Sequence, residues 1–479
     1  MGYPSVYPTG TTIYYPDHCY SGYTAFNVKN VGNVLIDMNG NVVKVWKGVE
    51  GFPARILPGG FTIGATRARN PKYGYLDMVD LIQVDWQGNV VWKFNRYERI
   101  KDPRRKPEWM ARQHHDYQRA GSPVGYYAPG LDPEIAGANT LILCHKNLTN
   151  TAISDKELID DAIIDVSWEG EIEWEWVFSD HIEEMGFGEA AKNAMARNPN
   201  IVPAGGGMGD WMHANSMSVV GPNRHYDAGD ERFHPDNIIW DGRQTNIIAI
   251  TDRRSGEIAW RIGPDYDATP ELRRLGWIIG QHHAHIIPRG LPGEGNLLVF
   301  DNGGQAGFGS PNPGSPTGHN NALRDHSRVL EFDPVTLEIA WQYSARDGGF
   351  APLVDDAKFY SVLVSAAQRL PNGNTLITEG CDGRLFEVTP QCDIVWEYIN
   401  PWFDKKLKHN MVYRAYRVPY DWIPQLDPPD EIEVPRLDNS TFRVGPGSMA
   451  MGTPITSLQR GGRVNHDPAL CVIPRRPPD

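Results

Sequence analysis

Cysteine is scarce in this chain: Cys19, Cys144, Cys381, Cys392 and Cys471 are the only five in 479 residues, and none forms a Cys-x-x-Cys pair. A set that sparse and odd in number excludes a dense disulfide framework and favours a reducing compartment. Basic charge is also short. Lys and Arg number 46 against 59 Asp and Glu, for a net charge of -13. That argues against a nucleic-acid partner, because a phosphate-binding face needs excess basic charge. The basic run Arg104, Arg105, Lys106 is short and reads as a solvated loop. Long apolar runs are absent and the mean hydropathy is -0.46, so no membrane span is expected. The first twenty residues hold no basic segment followed by an apolar one. No signal peptide is read there and a cytoplasmic enzyme is the simplest expectation, although a processed chain given a new Met would read the same.

Turn chemistry, by contrast, is plentiful, with 49 Gly and 38 Pro. Six times a short apolar strand ends near Asp, Ser or Thr, a turn follows, and a Trp-bearing strand comes next. The copies include NVLIDMNGNVVKVW, LIQVDWQGNVVW and LFEVTPQCDIVW, and their tryptophans are Trp46, Trp92, Trp174, Trp260, Trp341 and Trp396. Each copy is a hairpin around a tight polar turn. One hairpin cannot bury its own apolar face, so the copies must pack side by side and close in a ring. The expected fold is all-β, a six-bladed β-propeller with inserted loops and one short helical insertion.

Five of the hairpins are preceded by a second strand pair, which makes four-stranded blades. The first hairpin lacks one. The alternating segment NMVYRAYRVPYDW after Trp396 is expected to complete it. Residues 1–423 would then form one propeller closed by both chain ends, with a Pro-rich tail, 424–479, wrapping it. Three insertions stand out: a basic one at 96–112, a helical one at 180–198, and a Gly/Pro/Ser-rich one at 303–320 without regular pattern.

Aligning the partner pairs on Pro58, Gly121, Val219, Pro288 and Pro371 puts Phe52, His115, His213, His282 and Ser365 at one repeat position. Equivalent positions in a propeller lie on a circle about the axis, so three histidines from adjacent blades are expected at one level of the central channel. His114, Asp116, Asn215, His283 and His285 flank them, and His145, Arg243, Asp301, Asn302 and Glu379 end the second strands. Arg328 opens the strand RVLEFD. A guanidinium beside several imidazoles makes an anion site for sulfate, phosphate or carboxylate.

The motifs DWMHANS, QHHAHIIP, NLLVFDNGG, HSRVLEF and FYSVLVSAAQRLPNGNTLITEGCDGRLFEVT resemble the bacterial arylsulfotransferase family over about Gly22 to Tyr413. The resemblance implies a six-bladed propeller that moves a sulfuryl group between phenols by a ping-pong route, without a nucleotide donor, through a sulfo-histidine. It makes His213 and His282 counterparts of two family active-site histidines, and Arg328 the counterpart of the sulfate-binding Arg. It also implies a nucleophilic His in the blade after His282. That place holds Ser365, with Cys381 nearby, and no His lies between Tyr343 and Trp396. His115, one blade before His213, is the candidate to take over.

The catalytic set expected on this reading is His115, His213, His282 and Arg328, with Asp116, Asn215, Asn302, Glu379 and Ser365 against a small aromatic or anionic substrate. No cofactor, nucleic acid or membrane is expected, and an oligomer is possible. The alternative is a three-His site for Zn, Fe or Mn on His115, His213 and His282, driving a lyase, hydratase or hydrolase reaction with Asp116 or Glu379 as base. A quinoprotein reading rests only on the turn TDRRSGEIAW. The histidine column argues against a pure interaction propeller.

Overall fold

The computed structural model describes residues 9–69, 77–199, 210–304, 306–350, 355–406 and 408–437. Their strands form six antiparallel sheets around an axis. Blade 1 has Ala415–Val418 innermost, then Tyr23–Val28, Gly32–Ile36 and Val42–Lys47. The ring thus closes by pairing a late strand to an early one, Tyr23 opposite Val418 and Phe26 opposite Ala415. The innermost strands of blades 2 to 6 are Glu50–Leu57, Gln113–Arg119, Ala214–Val219, His282–Ile286 and Ala366–Arg369. Each neighbours the next around the ring, and Ala366–Arg369 meets Ala415–Val418. Gly10–Tyr14 adds a fifth strand outside blade 6.

Inner strands are buried on both faces because a blade lies against each side; Ile238–Gly242 and Leu297–Asp301 are buried throughout. Outer strands alternate, as Val90–Phe94 does, since one face meets water. The tryptophans lock neighbouring blades. Each indole Nε1 donates to a carbonyl in the next blade: Trp46 to Asp85, Trp92 to Trp168, Trp260 to Pro334, Trp341 to Pro390 and Trp396 to Met38, at 2.8–3.0 Å. The last bond joins blade 6 to blade 1. In blade 3 this role falls to Trp176, which donates to Gly256 at 2.7 Å. Trp174, the residue expected from the repeat, is instead half-buried under Arg253. Side chains alternate along a strand, so the tryptophan two residues further on faces the same way and reaches the neighbour.

The helical insertion contains Glu189–Arg197, which buries Ala191, Ala194 and Met195. The basic insertion and the one expected without regular pattern each carry a small ribbon: Glu98–Ile100 pairs with Glu108–Met110, and Ala306–Phe308 with His319–Ala322. Of the expected tail, residues 424–436 belong to the propeller unit, where Gln425 bonds Gly59 and Val434 pairs with Tyr14. Residues 438–479 lie outside the described residues. No helix among the described residues is long and apolar enough to cross a membrane.

Candidate active site in the channel

The innermost strands of blades 3 and 4 begin irregularly. Ladder register breaks between Gln113 and Tyr117 and between Ala214 and Ser216. His115, inside the first break, and His213, just before the second strand, take left-handed backbone, φ +52° and +51°. Such bulges re-aim a side chain, and non-glycine residues held there are strained in a way that clusters at functional sites. The two rings meet edge to face with centroids 4.8 Å apart.

Each ring is oriented from behind. Asp210 Oδ2 lies 2.6 Å from His213 Nδ1, which fixes the proton on Nδ1 and leaves the Nε2 lone pair open. Burial pushes the Asp210 carboxyl up, but His213 and its hydrogen bond outweigh that and hold it at about 2. The segment between them is gripped by adjacent acids. Asp160 accepts from the Trp211 indole and Asp161 accepts from the Ala214 N–H, at 2.9 and 2.6 Å. His115 Nδ1 meets His114 Nδ1 at 2.8 Å. Burial, then the neighbouring imidazoles of His213, His114 and His145, hold His115 well below the usual imidazole range, so it is neutral. Phe52 and Tyr413 form an aromatic wall, 4.4 Å apart and 5.5 and 5.7 Å from the His115 ring.

His282 is built differently. Its Nδ1 donates to Asn302 Oδ1 at 2.8 Å, and its Nε2 accepts the Val364 N–H at 3.1 Å. Asn302 in turn donates to the Ser361 and Val364 carbonyls. Both nitrogens are occupied, so the three expected histidines do not present three free imidazoles to one metal or one substrate. Ser365 is also enclosed: its hydroxyl donates to Ser361 Oγ and accepts the Gly380 N–H.

The other expected site residues serve the scaffold. Asp116 lies between Arg55 and Arg414 at 2.5 and 2.8 Å and accepts two backbone N–H groups, which leaves it no role as a base. Glu379 pairs with Arg384 at 3.0 Å. Asn215 donates to the Gln281 carbonyl. Arg328 is tied to Asp301 at 2.8 Å and to the Leu275 and Trp277 carbonyls, beside a cleft lined by His326, Arg346 and Asp356.

Arg243 has the character expected of Arg328. It follows the second strand of blade 4, is buried, and among the described residues its guanidinium has no hydrogen-bond or carboxylate partner. Its charge helps hold His282 below the usual range, after burial, and Asp210 acts on it in turn. A buried cation without a counter-ion is costly, and an anionic ligand would relieve that cost.

A family model described as arylsulfotransferase (ASST) matches residues 134–414, more than half of the chain. The chain belongs to the arylsulfotransferase family. Membership supports a sulfotransferase-like transferase activity. No curated protein matches this arylsulfotransferase-family chain. Among solved structures it is similar to a protein of unknown function from Bacteroides caccae, at 10% identity and TM-score 0.42, covering 83% of this chain and 99% of that one. It is also similar to virginiamycin B lyase from Staphylococcus aureus, at 10% identity and TM-score 0.33, covering 80% and 85%.

In this family member, sequence reasoning did not single out Asp210, Tyr413 or the Asp160–Asp161 pair. The signals were present. Asp210 stands three residues before His213, and two adjacent acids interrupt an otherwise apolar strand, LIDDAIIDV.

Proposed function

We propose that this protein moves a sulfuryl group from an aryl sulfate to a phenol, without a nucleotide donor, with His213 as nucleophile. The observation that carries this is the Asp210–His213 pair, which orients the imidazole and, among the described residues, leaves its Nε2 without a partner, beside the neutral His115. Neutral imidazole is a good nucleophile when its other nitrogen is held by a carboxylate.

In the first half-reaction His213 Nε2 attacks sulfur, the S–O bond to the aryl group breaks, and the bonding pair leaves with the phenolate. The Nδ1 proton of the sulfo-histidine is shared with Asp210. In the second half-reaction an acceptor phenolate attacks sulfur and the N–S bond breaks, which restores His213. Arg243 offsets charge on the sulfuryl oxygens, as cationic groups do in phosphoryl transfer. With the proton shared by His114 and His115 on the His114 side, His115 carries its own on Nε2. It then donates to the phenolate oxygen as a neutral electrophile. Phe52 and Tyr413 stack the aryl ring.

The test is incubation with nitrophenyl sulfate alone. The expected result is a burst of nitrophenol of about one equivalent and a sulfuryl adduct on the peptide containing His213. An adduct on His115, or no release of nitrophenol, overturns the assignment.

A further inference from the structure

Behind the channel pair, one row of side chains crosses blade 3. His114 lies on the innermost strand, Gln113–Arg119. His145 lies on the second, Thr140–Leu148, and Asp161 on the third, Leu158–Val166. Gln113 faces Cys144 and His145 faces Asp161 in the ladder, so rigid strands hold the row. The two imidazoles stack with centroids 3.8 Å apart, and both turn Nε2 toward Asp161 Oδ1, at 3.1 and 3.8 Å. Neither nitrogen makes a hydrogen bond with that oxygen. His114 Nε2 and Asp161 Oδ1 are sealed from solvent and, among the described residues, have no hydrogen-bond partner. A buried ring nitrogen and a buried carboxylate oxygen that approach without bonding each other lack compensation, and a shared cation would supply it.

We propose that His114, His145 and Asp161 bind a transition-metal ion of the Zn2+ class. Ligand atoms about 2.0–2.2 Å from a tetrahedral zinc lie roughly 3.3 Å from one another, and the two measured spacings bracket that value. Two imidazoles and one carboxylate suit Zn2+ better than Mg2+ or Ca2+, which prefer an all-oxygen shell. Two of the three outer atoms already have supports: Asp161 Oδ2 accepts the Ala214 N–H and His114 Nδ1 bonds His115, while His145 Nδ1 faces Asp77 Oδ2 at 3.6 Å without a hydrogen bond. Carboxylates and backbone groups of this kind orient metal-binding histidines.

These residues are distinct from the His115, His213 and His282 set expected from the sequence. The ion would also act on the channel. With His114 Nε2 bound to metal, its proton stays on Nδ1 and is donated to His115. The His115 proton is then on Nε2, at the open edge of the ring. This last link rests on the sulfuryl-transfer reading; the binding of the ion does not.

The test is metal content without substrate. Protein purified without metal-affinity steps, loaded with Zn2+ and passed over chelating resin, should retain about one ion per chain by elemental analysis. His145→Ala and Asp161→Asn should lose it, and His213→Ala should keep it. Because the first two variants can fail to fold, the wild type is also melted with and without Zn2+. A rise in Tm with Zn2+ but not with Mg2+ is expected, since a ligand that binds only the folded state stabilises it. A wild type that retains under about a tenth of an equivalent, a Tm indifferent to Zn2+, or loss of the ion from His213→Ala overturns the proposal.

Discussion

His213 and His282 occupy one repeat position in adjacent blades, yet their surroundings give them opposite roles. His213 has a carboxylate behind Nδ1 and nothing on Nε2 among the described residues. His282 has Asn302 on one nitrogen and the Val364 N–H on the other. On the proposed reading the same ring is a reagent in blade 4, whereas in blade 5 it clamps the backbone of blade 6. What differs is the partner. A carboxylate supplied three residues upstream orients one ring, and an amide plus a neighbouring blade's backbone consume the other.

The comparison breaks most sharply at the reagent ring. His213→Ala should lower turnover of nitrophenyl sulfate by about 10⁴-fold or more, as loss of a nucleophile does; residual turnover within tenfold of wild type would refute its role. Asp210→Asn keeps the shape but can stabilise the wrong tautomer. It should lower kcat by about 10²–10⁴-fold, and an unchanged kcat would detach the carboxylate from the chemistry.

The cation comes next. Arg243→Met should reduce kcat/KM by about 10²–10³-fold, while Arg328→Met, which breaks an ion pair with Asp301, should act on stability first. The reverse ranking, read from kinetics and melting together, would restore Arg328 as the anion site.

The clamp should show the smaller effect. His282→Gln leaves the Val364 N–H or Asn302 without a partner and should cost about 1–3 kcal/mol of stability. Its turnover should fall far less than that of His213→Ala, and an equal collapse would mean that His282 is a reagent after all.

Acid titration sharpens the same contrast. Burial holds His285 at about 4 and His282 and His283 well below the usual range, while unfolded imidazole titrates near 6.5. Between those values only the unfolded chain takes the proton. Each such ring therefore removes stability as pH falls from 6.5 toward 4, by about 1.4 kcal/mol per pH unit. Asp160, Asp161 and Asp241, each pushed up to about 7 by burial, work in the opposite direction over the same window, but burial also holds His114, His115 and His145 low, and six imidazoles outweigh three carboxylates. Tm should fall on acidification, and His285→Gln should make the fall shallower; equal slopes would show that the ring is not held neutral.

The six blades were readable because hairpins with one tryptophan each recur at a period that no helix or single hairpin could use. Even so, the repeat named Trp174 where Trp176 makes the bond to the next blade. Two tryptophans on one strand face share a periodicity, and only the distance to Gly256 separates them. The histidine column was readable in the same way, by position. Its chemistry was not. Arg328 and Arg243 both end or begin strands near histidines, but Asp301 pairs with the first, and among the described residues no carboxylate bonds the second.

By itself the sequence determined the propeller, its closure-ready ends and the level at which the histidines stand, because strand alternation and repeat period are local properties of the chain. The tertiary structure alone decided which ring nitrogens the described residues occupy, which arginine is paired with a carboxylate, and that His114, His145 and Asp161 meet across blade 3. Those are properties of pairs of atoms far apart in sequence. A shift of one ångström or one residue of register makes or removes a hydrogen bond, and no spacing along the chain encodes it.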